Sequence, residues 1–277
     1  MADLISDAQW QQYEQDGYVS LGRILDDREL TALQERIDAI MLGRTELDYD
    51  LLMMQLDSVT GQYADAGAQT RGHEGSTLAY RKIEGVEFDR SFLEYMQRPV
   101  FRQACARQYG ADTPIAVFRA MFMNKPAGQG TVLPWHQDRW TFLDRDPLLT
   151  LYTALDPATR QNGCVQVIRG SHRWGLVNPD HTSGFLTPEQ AQAALAEHEV
   201  VFLEMEPAEV VLLHNWLLHS SDVNRSAQSR RAFSVCAMEA ATRRRDTGQV
   251  ASRSILFGEG ALTLEGVAGL HRPKAPR

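Results

Sequence analysis

Trp135-His136-Gln137-Asp138 sets an imidazole and a carboxylate two residues apart. Side chains alternate along an extended segment, so His136 and Asp138 project to the same face. A second imidazole from a later strand would close the third vertex, and His219 is the candidate. Two imidazoles and one carboxylate on one side of a metal leave the opposite positions open, a donor set that suits ferrous iron in oxygen chemistry. His-x-Asp alone arises often by chance. What surrounds His219 gives it weight.

His214 competes for the same vertex. Spacing to an arginine does not separate the two, because Arg225 follows His214 by 11 residues and Arg230 follows His219 by 11. Local chemistry does separate them. His219 opens a turn of small polar residues running to Ser226, whereas Arg230 enters the apolar strand Ala232-Phe233-Ser234-Val235-Cys236. A cation pointing into a barrel needs an anionic partner. A dicarboxylate bound beside the metal would supply one in bidentate geometry. By the same alternation Trp140 follows Asp138 onto the pocket wall, while Gln137 and Arg139 face away.

The elements that must position these groups follow from pattern. Ser6 and Gln9 form a capping-box pair that opens a helix closed by Gly17. Asp26 or Asp27 caps a second helix, whose apolar face is Leu30, Leu33, Ile37, Ile40 and Met41. No period holds over residues 44–77, which predicts a loop or lid around Met53 and Met54 that hangs over a pocket. From about 115 strands follow quickly: Val117 to Met123, Trp135 to Phe142, Leu148 to Leu155, Val165 to Ile168, Val200 to Leu203, Val210 to Leu213 and Ala232 to Met238. Thr187-Pro188 opens one inserted helix. The expected fold is mostly β with flanking helices around a double-stranded β-helix (jelly-roll, cupin-like) core. Its expected division is one domain over 1–277: helical support and lid over 1–114, the core over 115–240, and an extension with a basic end over 241–277.

Composition narrows the function. The 277 residues are 43% hydrophobic and 23% charged, with a net charge of -8. A general nucleic-acid binder is excluded, since it needs a concentrated basic surface; Arg243-Arg244-Arg245 is too short for one and reads as a solvated loop. The start lacks a basic segment and an apolar one, no apolar run reaches the ~18 residues that span a bilayer, and Cys105, Cys164 and Cys236 show neither disulfide nor zinc spacing. A cytoplasmic protein is expected. Oligomeric state is not readable.

With these residues in hand, the sequence resembles the phytanoyl-CoA dioxygenase family of Fe(II)/2-oxoglutarate-dependent oxygenases. The matching stretches are Asn124-Lys125-Pro126 with Trp135-His136-Gln137-Asp138, Asn162-Gly163-Cys164 with Gly170-Ser171-His172, and His219 through Arg230. Asp16-Gly17-Tyr18-Val19 fits the N-terminal region. Two departures, Arg169 where Pro is usual and Ser220 where Gly is common, bear on loop shape.

The resemblance implies iron on His136, Asp138 and His219, with Arg230 gripping the distal carboxylate of 2-oxoglutarate. It further implies co-substrate contacts from Ser221 and, more loosely, Lys82. O2 is the remaining reactant, with succinate and CO2 released as a substrate C–H bond is oxidised. Halogenating relatives lose the carboxylate, so Asp138 favours hydroxylation or another C–H oxidation over halogenation. Trp140 and Tyr80 are candidates for the substrate pocket, and His172 for ordering a loop. The competing expectations are an idle jelly-roll binding protein and a cupin-like metal enzyme without 2-oxoglutarate, which leaves Arg230 without a role. For the substrate, the apolar lid suggests a small natural product or lipid-like molecule.

Overall fold

The N-terminal region already shows the capping logic in three dimensions. In this computed structural model, which describes residues 4–270, α1 (Asp7–Asp16) is closed by reciprocal Ser6–Gln9 hydrogen bonds at its start and by left-handed Gly17 at its end. A Cβ on Gly17 would stand 2.5 Å from the His172 ring, so this turn is also a close contact with a later loop. β1 (Tyr18–Arg23) leads to α2 (Asp27–Met41), where Asp26 is the cap and the five expected apolar residues are all buried.

The expected loop over 44–77 contains structure. Its Met53–Leu56 is a strand, β2, which pairs with the short β3 (Thr70–Arg71) and with β4 (Tyr80–Glu84). Met54 is therefore core, and the expectation of an apolar Met53–Met54 lid is corrected. α3 (Arg90–Met96) and α4 (Pro99–Tyr109) follow, then β5 (Ile115–Lys125). β6 ends at His136 (Leu133–His136), so the expected strand through Phe142 is cut short. β7 (Leu149–Ala154), β8 (Val165–Ile168), α5 (Pro188–Glu197), β9 (Val200–Leu203) and β10 (Glu209–His214) fall close to expectation. His219–Ser221, read from sequence as the start of a turn, is a strand, β11. β12 (Arg230–Glu239), β13 (Ile255–Phe257) and α6 (Leu264–Ala268) complete the described chain; the basic end beyond residue 270 lies outside the described residues.

Two antiparallel sheets face each other as a jelly roll. The larger runs β1-β10-β7-β12-β5-β4-β2-β3 with β13 on β5, and the smaller runs β6-β11-β8-β9. Strands from before residue 115 thus extend the larger sheet. β12 is buried along nearly its whole length because both its faces are covered. Phe233, Val235 and Ala237 pack outward with Leu149, Leu151 and the α2–α4 helices; Arg230, Ala232, Ser234 and Cys236 point between the sheets. The inner face is where chemistry is possible.

The three cysteines are buried free thiols. The Arg243–Arg245 run is tied into a local turn by Asp144, Asp246 and backbone carbonyls. No described helix is long and apolar enough to cross a membrane.

Candidate metal centre

β6 and β11 lie side by side in the smaller sheet, with His136 directly opposite His219. Their rings are 4.0 Å apart between centroids. Each imidazole is oriented the same way: Nδ1–H donates to the carbonyl two residues earlier, Pro134 for His136 and Leu217 for His219, both at 2.8 Å. That bond fixes the tautomer and leaves both Nε2 lone pairs aimed inward. Burial, with His219 alongside, pushes the His136 imidazole down to about 4, so its nitrogen is a free donor at neutral pH.

Asp138 completes the set from a loop. Its Oδ1 lies 3.7 Å from His136 Nε2 and its Oδ2 lies 3.8 Å from His219 Nε2. One donor atom from each of the three can be chosen so that all lie within 4.8 Å of one another. Among the described residues this is the only such group of His, Cys, Asp and Glu. The chain leaves the sheet after His136, yet Asp138 still turns inward because two pins hold the loop. Gln137 is buried with its amide nitrogen donating to the Gly175 and Trp216 carbonyls and its oxygen accepting from Val177 N–H. Asp138 N–H donates to the Asn215 carbonyl at 2.6 Å. Asn215 is itself locked by Thr150 and the Pro147 carbonyl. Sequence alternation named Gln137 as facing away; its role as a pin it did not show.

His214 is not part of this group. It ends β10 on the far side, accepting from Trp216 N–H and facing His172, whose ring reaches the Glu14 carbonyl from the loop it orders.

Opposite the triad, the inner face of the larger sheet lines a cavity of about 220 Å³. Arg230 lies at one end, 2% exposed, donating to the Tyr152 hydroxyl at 2.5 Å while its Nε has no partner. No carboxylate among the described residues pairs with it. Its neighbour Arg231 faces outward and is bound by Asp156 and Asp38 at 2.8 and 2.7 Å. An arginine buried without an anion is costly. Burial pushes the Tyr152 phenol up, so it remains an O–H. Ser221 and Lys82 line the same cavity, as does Trp140, which also packs edge-on against Phe118 at 4.5 Å.

Tyr80 does not line it. The register slips between β2 and β4, where Gln55 faces Lys82 but Leu56 faces Tyr80, leaving Arg81 as an extra residue. The bulge turns Arg81 and Lys82 both toward the cavity and Tyr80 into the core. There its hydroxyl holds the Glu74–Gly75 turn. Residues that sequence reasoning missed close the roof. Phe185 stacks on His136, and Tyr63, from the 44–77 region, packs on Phe185. Gly184 allows this approach, since a Cβ there would meet the Gln137 carbonyl at 2.0 Å.

A jelly roll with two histidines and one aspartate converging beside an unpaired arginine defines the class of non-haem iron oxygenases. The chain belongs to the phytanoyl-CoA dioxygenase family, whose model matches residues 13–232. It is an Fe(II)/2-oxoglutarate-dependent dioxygenase. It is similar to phytanoyl-CoA dioxygenase domain-containing protein 1 of Mus musculus, 30% identical over 86% of this chain and 91% of that one. It is also similar to a probable phytanoyl-CoA dioxygenase of Caenorhabditis elegans, 24% identical over 83% and 74%. Among solved structures, EctD from S. alaskensis with bound Fe aligns with a TM-score of 0.67 at 20% identity, over 87% of this chain and 79% of that one. The epimerase SnoN, in complex with Fe3+, alpha ketoglutarate and nogalamycin RO, aligns at 0.65 and 15%, over 92% and 96%.

Proposed function

We propose that His136 Nε2, a carboxylate oxygen of Asp138 and His219 Nε2 hold the iron, and that the enzyme hydroxylates a C–H bond of a small organic molecule, releasing succinate and CO2. The observation that carries the reading is Arg230, buried on the cavity wall without a carboxylate while two histidines and an aspartate converge across from it. The distal carboxylate of 2-oxoglutarate is the anion this guanidinium lacks, with the Tyr152 hydroxyl bracing the fork. Ser221, two residues beyond His219, offers a hydroxyl on the same side. Lys82, opposite Met123 and through it Ala232, stands one alternation step from Arg230 and supports the same end.

Iron chelated by the keto acid supplies the activation of dioxygen and the oxidising power. The protein orients and shields. Backbone carbonyls fix the tautomer of both imidazoles and keep the rings correctly turned, Gln137 and Asn215 fix the Asp138 loop, and Phe185 with Tyr63 roofs the site against water. With Asp138 present, the site keeps a carboxylate where halogenating relatives make room for chloride.

The test is anaerobic titration of the apoprotein with Fe(II), then 2-oxoglutarate, following the weak visible charge-transfer band of a chelated keto acid. The band is expected in the wild type and in His214→Ala, and absent in His219→Ala. Metal binding without the band would move the centre to a cupin-like enzyme that uses no co-substrate.

A further inference from the structure

The co-substrate leaves the cavity unbalanced. Four cations line it, Arg81, Lys82, Arg119 and Arg230, against a single lining carboxylate, Asp138. A ferrous ion, the two carboxylates of 2-oxoglutarate, Arg230 and Asp138 cancel one another. Arg81, Lys82 and Arg119 remain; Glu84 lies 3.1 Å from Lys82 and 3.9 Å from Arg119 through the same oxygen, and Asp57 is the acid on the Arg81 side. Lys82 holds the closer contact, so Arg119 has no acid at hydrogen-bond distance.

The surplus is not spread evenly. Arg119 faces Cys236 across β5 and β12, six residues along β12 from Arg230. At 3.3 Å per residue this sets the two backbones about 20 Å apart, so Arg119 and Arg230 root at opposite ends of the wall. Arg119 stands at the Trp140 end, two residues beyond Asp138 in the chain. Its guanidinium lies over the Trp140 and Phe118 rings, 4.9 and 5.3 Å from their centroids. Rings against the flat faces leave the N–H edge free, the edge that binds a carboxylate in bidentate fashion. Arg81, placed by the bulge, lies over the Tyr63 ring of the roof at 5.2 Å, with the Gln55 amide oxygen at 3.3 Å and no acid in ion-pair contact.

Resting on the oxygenase reading, we infer that the substrate is a small organic acid whose carboxylate is bound by Arg119, while its body lies along Trp140 and Phe185 toward the metal. The expectation of an apolar, lipid-like substrate came from Met53 and Met54, which belong to a strand. The wall itself selects for charge.

The test is calorimetry on the anaerobic Fe(II)–2-oxoglutarate–protein complex, with 2-oxoglutarate saturating so that Arg230 is occupied. The probes are 3-phenylpropionate, cyclohexanecarboxylate and hexanoate, each paired with its neutral amide, and phenyl phosphate. At least one acid is expected to bind about tenfold or more tightly than its amide, and Arg119→Gln to bring that acid down to the amide's level. The charge-transfer band, read first in the same sample, must persist in Arg119→Gln. Loss of the band in the wild type sinks the oxygenase reading, whereas a normal band with equal binding of acids and amides sinks only this one. So does failure of every acid to bind at millimolar concentration, or an acid affinity untouched by Arg119→Gln. Phenyl phosphate binding tighter than any acid replaces the carboxylate with a phosphate ester and overturns the assignment made here.

Discussion

Phe185 lies flat on His136, ring centroids 4.8 Å apart and planes 19° from parallel. The contact joins the roof to a metal-ligand candidate, so loosening one should loosen the other. Phe185→Ala is expected to weaken Fe(II) binding on the order of tenfold, as loss of a group that orients a ligand commonly does. It should also raise succinate formation in the absence of substrate, because water enters. Metal titration and a coupled succinate assay check this; unchanged values for both would mean the stack is incidental.

Arg230 predicts a reversal of stability. A buried guanidinium without an anion burdens the apoprotein, so Arg230→Met should make the apoprotein more stable by about 1–3 kcal/mol. Adding 2-oxoglutarate with Fe(II) should then stabilise the wild type but leave the variant nearly unmoved. Tyr152→Phe should cost about 1 kcal/mol of co-substrate affinity, since it removes one hydrogen bond. Melting temperatures with and without 2-oxoglutarate decide the matter.

Gln137, itself buried, satisfies two carbonyls and one N–H of half-buried loops. Gln137→Ala leaves all three unpaired and should lower stability by about 2–4 kcal/mol, measurable by urea unfolding. Gln137→Glu should be worse, since a carboxylate cannot donate to the Gly175 and Trp216 carbonyls. A stability loss below 1 kcal/mol (about one ordinary hydrogen bond) for Gln137→Ala would remove it as a pin.

Glu87 gives the pH dependence. Buried among core groups, with one hydrogen bond from Ser254, its carboxyl is pushed up to about 7 by burial. The folded state therefore holds a proton that the unfolded chain releases near 4.5. Stability tied to this proton is complete below about 4.5 and falls as pH rises toward 7, by about 3 kcal/mol in total. Glu87→Gln should abolish that slope and leave the variant more stable than wild type above pH 7. Unfolding curves across this range test it, and parallel slopes for both proteins would refute it.

The convergence of His136, Asp138 and His219 was legible because alternation and the small polar residues after His219 restrict which side chains meet. The route was less legible. Trp135–Phe142 has the composition of a strand, but Gln137 finds its partners in two loops, so the chain leaves the sheet and Asp138 and Trp140 arrive from a bend. β2 was hidden because four residues pairing with a distant strand carry little period of their own. Arg119 shares a face with Met121 and Met123 by simple alternation, but only the register with Cys236 sets its distance from Arg230. Tyr80 was misplaced by one extra residue, which no local pattern announces.

That extra residue has a longer reach than its own strand. The candidate iron donors stand on the smaller sheet and the loop that leaves it, and the Arg81 bulge stands near the edge of the other sheet, where the ladder already accommodates an insertion. Adding or deleting one residue there would re-aim the Arg81 and Lys82 charges on the cavity wall without moving His136, Asp138 or His219. In evolutionary terms the diet of such an enzyme can drift through single-residue length changes at this edge, and a protein engineer seeking a new specificity would begin at the same place.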